Sequence, residues 1–301
     1  MNTLTTIGGY ALGLVAVFAA ATGIGAAVGP IGRVEAGHGD ASPAGAHGDA
    51  HQAEAAARPP TGLSASEGGY LLRMTRSALR AGEPGRLEFA VHRPDGGPLT
   101  HYQLTHDKEL HLIVVRRDLT GFQHLHPVRD PAGVWSTDLS VAEPGQYKVF
   151  ADFQPAGADR ALTLAADLAV AGDYRPRPLP APERTAAVDG YTVALAGDLT
   201  AGAQSELTLS VSKDGVPVTD LQPYLAAYGH LVVLRATDLA YLHVHPAGEP
   251  GDGVTPAGPQ ITFFAEVPTA GDYRLFLDFQ HAGVVRTAEF TAHAAAAGEH
   301  R

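Results

Sequence analysis

The stretch His111-Leu112-Ile113-Val114-Val115-Arg116, followed after a short gap by His124-Leu125-His126-Pro127, is written twice in this chain. It returns as His230-Leu231-Val232-Val233-Leu234-Arg235 and His243-Val244-His245-Pro246, with all three histidines displaced by the same 119 residues (111 to 230, 124 to 243, 126 to 245). A repeat of that length is a domain and not a solenoid unit, so the 301 residues read as two tandem domains of one fold with flanking segments.

Each copy is a series of short apolar runs separated by Gly, Pro and Asp turns. In the first copy they cover 70–75, 86–91, 110–116, 122–127, 134–141, 147–153 and 161–170. In the second they cover 191–196, 206–211, 230–235, 241–246, 261–267, 273–279 and 285–291. Seven strands in about 110 residues predict an all-β fold of two tandem immunoglobulin-like β-sandwich domains. Glu143-Pro144-Gly145-Gln146-Tyr147 and Thr269-Ala270-Gly271-Asp272-Tyr273 each set a Tyr behind a Gly turn and ahead of an apolar strand, the pattern of a tyrosine corner. The predicted layout is a transmembrane helix or signal segment over 1–33, a flexible His-containing linker over 34–63, sandwich 1 over 64–173, a Pro-rich linker over 174–185, sandwich 2 over 186–293 and a tail over 294–301.

The histidines are placed by strand arithmetic. A hairpin turning around Arg117–Gly121 sets His111 opposite His126 and Ile113 opposite His124. Cross-strand partners share a face, and so do residues two apart on one strand, so all three imidazoles converge. The same arithmetic groups His230, His243 and His245, and a slip of one residue in register would undo it. In the following Phe-x-Asp-Phe-Gln strands, Tyr147, Val149, Ala151 and Phe153 alternate with Lys148, Phe150, Asp152 and Gln154, as Tyr273, Leu275, Leu277 and Phe279 do with Arg274, Phe276, Asp278 and Gln280. The charged set faces away from the sandwich core, which puts Asp152 and Asp278 beside the histidines. That outer face also carries Ile113, Val115, Phe122 and Phe150, so it is too apolar to stay wet and marks an interface at which the two copies could cover each other.

Neutral imidazoles plus a carboxylate suit Zn(II) or Cu(II). The expected metal residues are His111, His124, His126 and Asp152 in one site and His230, His243, His245 and Asp278 in the other. With no Cys, and only Met1 and Met74, soft-ligand Cu(I) handling is disfavoured. Two other readings stay open. The histidines could hydrogen-bond to Asp152, Asp278 and backbone while packing a metal-free interface to a domain or an envelope protein partner, or they could form a proton-sensitive interface. A three-His ion with an open position could activate water, but no general acid or base is assigned by spacing, so an enzyme is not the primary reading.

From Ile7 to Ile31 no residue is charged, enough for a membrane-spanning helix of about 20 residues. The length favours a retained single-pass anchor with both domains on the extracytoplasmic side; the alternative is a cleaved signal and a secreted protein. The tether beyond it carries His38, His47 and His51. A net charge of −11 without a basic patch excludes nucleic acid as a partner.

The combination of His-Leu-x-Val-Val-Arg, His-x-His-Pro and Phe-x-Asp-Phe-Gln resembles exported or membrane-anchored tandem β-sandwich proteins of high-GC, actinobacterial-type bacteria, over about two-thirds of the chain. It is loosely similar to the CopC-like and YtkA-like periplasmic copper-binding sandwiches, which implies metal handling at the envelope. The Met-rich copper motifs of such proteins are missing here.

Overall fold

The computed structural model describes residues 60–242 and 244–298, and all regular structure among them is β. The N-terminal apolar segment, most of the tether with its three histidines, and His243 lie outside the described residues. Among the described residues no helix is long and apolar enough to cross a membrane.

The first sandwich runs β1 (Tyr70–Arg76), β2 (Leu79–Arg80), β3 (Pro84–His92), β4 (Leu110–Arg116), β5 (Gln123–Leu125), β6 (Val128–Arg129), β7 (Val134–Ser140), β8 (Gly145–Pro155) and β9 (Leu162–Ala171). The second runs β10 (Tyr191–Ala196), β11 (Leu199–Thr200), β12 (Gln204–Lys213), β13 (Gly229–Arg235), β14 (Tyr241–Leu242), β15 (Val244–Pro246), β16 (Gln260–Glu266), β17 (Gly271–His281) and β18 (Val284–Ala295). Apart from the edge strands Ser66–Glu67 and Thr185–Val188 and the two-residue side strands Tyr102–Gln103 and Val216–Pro217, one sheet of each has the order β1-β3-β7-β6 or β10-β12-β16-β15, and the other β2-β9-β8-β4-β5 or β11-β18-β17-β13-β14. Only the short β2 and β11 join their neighbours in parallel. This is the immunoglobulin-like order in both halves, with the first strand split between the two sheets.

The tyrosine corners form as the Gly turns predict. Tyr147 donates its hydroxyl proton to the Glu143 carbonyl at 2.7 Å, and Tyr273 does the same to Thr269 at 2.7 Å. Gly145 and Gly271 hold φ of +141° and +132°, which a side chain would resist.

Every residue of β4 is buried. A strand with one wet face would alternate, so both faces of this sheet must be covered. Leu110, Leu112 and Val114 enter the core of sandwich 1, while Ile113 and Val115 enter a third apolar cluster. That cluster adds Phe150 from β8, Val232 and Leu234 from β13, Tyr241 from β14 and Phe276 from β17. The two β4/β13-containing sheets therefore pack face to face, and Phe122 stacks on Phe276 with centroids 4.0 Å apart. Phe276→Ala should cost about 3–5 kcal/mol by opening a cavity there. Equilibrium denaturation checks it; a change below about 1 kcal/mol would mean the seam carries little of the fold's stability.

The Pro-rich connection between the halves is docked, not loose. Leu179 packs against the seam, and the Arg177 amide donates to Asp118 at 2.8 Å. At the other end, Thr61 exchanges hydrogen bonds with Tyr241 of sandwich 2, while Gly62 and Ser64 bond to β9 of sandwich 1. Gly62 has φ +70°, and a Cβ there would meet Phe150 and Tyr241 at 2.8 Å.

Candidate metal centre

The β4–β5 ladder pairs Leu112 with Leu125, Ile113 with His124 and Val114 with Gln123, which is the predicted register. It brings His111, His124 and His126 together on the outer face of the sheet, with one ring nitrogen from each within 4.8 Å of the others. The face is not exposed, because the second sandwich lies across it: His111 is 6% exposed, and the His124 side chain 6%.

Hydrogen bonds fix two of the tautomers. His111 Nε2 lies 2.9 Å from the Thr105 carbonyl, which can only accept, so the proton is on Nε2 and Nδ1 presents a lone pair. His124 donates Nδ1–H to Asp278 Oδ2 at 2.8 Å, so Nε2 is the nitrogen left to offer a lone pair when the ring carries a single proton. These two nitrogens face each other at 3.1 Å, and His126 Nε2 is 3.3 Å from the same His111 Nδ1. Burial holds the imidazolium forms down. The His111 and His126 pKa values fall to about 3 and that of His230 to about 4, burial being the largest cause in each.

Thr105 is positioned by a two-residue hairpin turn, in which His106 and Asp107 both have positive φ (49° and 62°) and Thr105 and Lys108 exchange backbone hydrogen bonds. Sandwich 2 builds the same turn at Leu225 and Ala226, and His230 donates Nε2–H to the Tyr224 carbonyl at 2.8 Å. His230 therefore presents Nδ1 as its lone-pair nitrogen, as His111 does. Its ring centroid is 6.3 Å from that of His111 and 6.2 Å from that of His124.

The carboxylates sit where the strand pairing predicts, Asp152 opposite His111 and Asp278 opposite His230. One of their bonds crosses between the halves. It is Asp278, from sandwich 2, that binds the triad of sandwich 1, while its other oxygen accepts from Thr287 at 2.6 Å. Asp152 accepts from the equivalent Thr163 at 2.9 Å and lines a cavity of about 70 Å³ with His106, His111, His124, His230 and Tyr241. Burial raises the Asp152 pKa to about 6.

In the second copy it is His245 that departs from the expected convergence. β13 pairs with β14 only at Val233–Leu242 and Leu234–Tyr241, and the chain then passes to the opposite sheet, where His245 pairs with Phe264 and is exposed. The apolar pattern explains the early crossing: Leu242 buries into the core of sandwich 2 and Val244 packs against it, whereas the equivalent of Leu242 is the polar Gln123. His245 therefore does not share a sheet face with His230. Among the described residues one His cluster forms at the seam, the triad of sandwich 1 faced by Asp278 and His230.

The strand arithmetic does not reach His106, Tyr224 or Tyr241. Tyr241 reaches the cavity from the second sandwich. His106 enters from the turn, its ring 5.2 Å from that of His230, and its pKa is lowered by burial and by neighbouring His245. A turn of sequence Thr-His-Asp-Lys lacks the Asn-Gly or Asp-Gly signal that would have placed it.

A family model described as a domain of unknown function (DUF8832) matches residues 65–171 and again 186–296. No curated protein matches the chain. Among solved structures, the Escherichia coli adhesin FdeC is similar at 18% identity over 76% of this chain and 65% of that one, with a TM-score of 0.24. The Yersinia pseudotuberculosis adhesin InvE is similar at 14% identity over 74% and 58%, with a TM-score of 0.24. An Escherichia coli alpha-2-macroglobulin activated by porcine elastase is similar at 16% identity over 75% and 20%, with a TM-score of 0.25. The chain thus spans less than two-thirds of each of these structures.

Proposed function

The chain belongs to the DUF8832 family, whose domain it carries twice, and we propose that it is an extracytoplasmic module holding one divalent transition-metal ion, Zn(II) or Cu(II), at the seam between its sandwiches. The supporting observation is the His111 Nδ1 to His124 Nε2 approach of 3.1 Å. The His111 Nδ1 lone pair meets there the inner nitrogen of a ring whose outer nitrogen is, like that of His111, committed as a donor. A proton could bridge one edge of the triad, whereas a cation serves all three. In a tetrahedral site with metal–nitrogen bonds of about 2.0–2.1 Å, ligand nitrogens lie roughly 3.3 Å apart. The triad's 3.1 and 3.3 Å edges fit that spacing. Asp278 behind His124 and the Thr105 carbonyl behind His111 are the outer partners that metal-bound imidazoles use to fix tautomer and orientation. Placement outside the cytoplasm rests on the uncharged run from Ile7 to Ile31, as a retained anchor or a cleaved signal.

Chelator-stripped, untagged protein should take up one Zn(II) or Cu(II) per chain at micromolar concentration, read by calorimetry and elemental analysis. His126→Ala should weaken this by about 100-fold or more, beyond the effect of changing an outer partner. Absence of uptake by the parent protein would end the metal reading. The second reading is a metal-free interaction module, favoured by the burial of the same His and aromatic faces against each other. On that reading His126→Ala loosens the seam and no ion is lost.

A further inference from the structure

The triad belongs to sandwich 1, but the proton that commits His124 to its ligand tautomer is held by sandwich 2. We infer that ion loading and docking of the two repeats are coupled, the ion acting as a staple across the seam; this rests on the metal reading above.

His111 is oriented locally, because Thr105 lies in the same sandwich. His124 is not. Its Nδ1–H is taken by Asp278 at 2.8 Å, across 154 residues of sequence. Asp278 is 3% exposed and is itself held by Thr287. If the sandwiches part, His124 loses that acceptor and nothing keeps a proton on Nδ1 in preference to Nε2, the nitrogen that faces His111. The cavity beside the triad is likewise built from both halves, with His106 and Asp152 from one and His230 and Tyr241 from the other. Sandwich 1 alone therefore holds three imidazoles without the carboxylate that arranges them. Linkage makes the effect reciprocal: whatever factor docking adds to ion affinity, the ion adds to docking. Asp278 is here a positioning residue and not a ligand.

The test uses the full chain with Zn(II) as the probe. Asp278→Asn, which keeps the shape and the Thr287 contact, should lower zinc affinity by about 10–100-fold, the range for outer partners of metal-bound histidine. Thr287→Val keeps the carboxylate but frees one of its oxygens, so it should lower affinity in the same direction by less; it serves if Asp278→Asn folds poorly. Zinc should also slow amide hydrogen exchange in β17 and β18, which contain none of the triad. Zinc affinity unchanged in both variants, or protection confined to residues 65–171, overturns the coupling while leaving the metal site standing. A parent protein that binds no zinc overturns both.

Discussion

Acidified from pH 6.5 to about 4, the ion-free protein should lose several kcal/mol of folding stability, a large share of the 5–15 kcal/mol typical of a domain. The sign follows from which state takes up protons. Folded His111 and His126 titrate at about 3 and His230 at about 4, against 6.5 for the free side chain. Between those limits the unfolded chain binds protons that the folded chain refuses, so stability falls as pH falls, by at most about 1.4 kcal/mol per pH unit for each group. Asp152 works in the opposite direction. Its folded pKa of about 6 lies above the ordinary 3.8 of an Asp side chain, so the folded state takes up a proton first and gains stability as pH drops through 6. One such carboxyl offsets one of the three histidines and leaves the net slope positive. Urea midpoints measured with chelator at about pH 7, 6, 5 and 4 should decline throughout, and a His111→Gln, His126→Gln double variant should decline less steeply. A midpoint that stays level down to about pH 4 would show that these rings are not held neutral. Saturating zinc should raise the midpoints near neutrality, as any ligand of the native state does.

The second large effect is expected at Arg116, which is 1% exposed. Its guanidinium donates to Asp118 through Nε at 2.9 Å and Nη2 at 2.8 Å, and to Glu143 through Nη1. One side chain thus ties the β4–β5 turn to the β7–β8 corner, and Asp118 extends the node to the Arg177 amide of the interdomain connection. Arg116→Ala strands the Asp118 carboxylate, whose side chain is 5% exposed, without its cation. Breaking a buried pair from one side costs about 3–5 kcal/mol. Arg235, the repeat equivalent, pairs with Asp238, whose side chain is 38% exposed. Arg235→Ala should cost nearer 1 kcal/mol, as for solvent-exposed pairs. Calorimetry of both variants separates the cases, and equal losses would contradict the burial argument.

The repeat makes much of this legible from sequence, and the reason is geometric. Strand alternation is fixed by covalent structure, so the inner and outer sets of β8 and β17 follow from reading every second residue, and the tyrosine corners follow from their Gly turns. The register that joins His111 to His124 and His126 follows because Leu125 must reach the core of sandwich 1. The second copy breaks the analogy through one position: Leu242 has an apolar side chain to bury where Gln123 does not, and the strand leaves for the other sheet. Nor could pairing within a domain show that the partner of His124 is Asp278 and not Asp152. That choice is made by packing between domains, which has no sequence period.

The segment that crosses the joint has a practical corollary. The repeat boundaries begin at residue 65, yet Thr61 hydrogen-bonds to Tyr241 of the far half and Gly62 to Thr163 of the near one. A fragment trimmed to those boundaries would keep both folds intact and shed the lashing that crosses from one to the other. Binding measured on such a fragment would then report a hinge looser than the one the longer chain possesses.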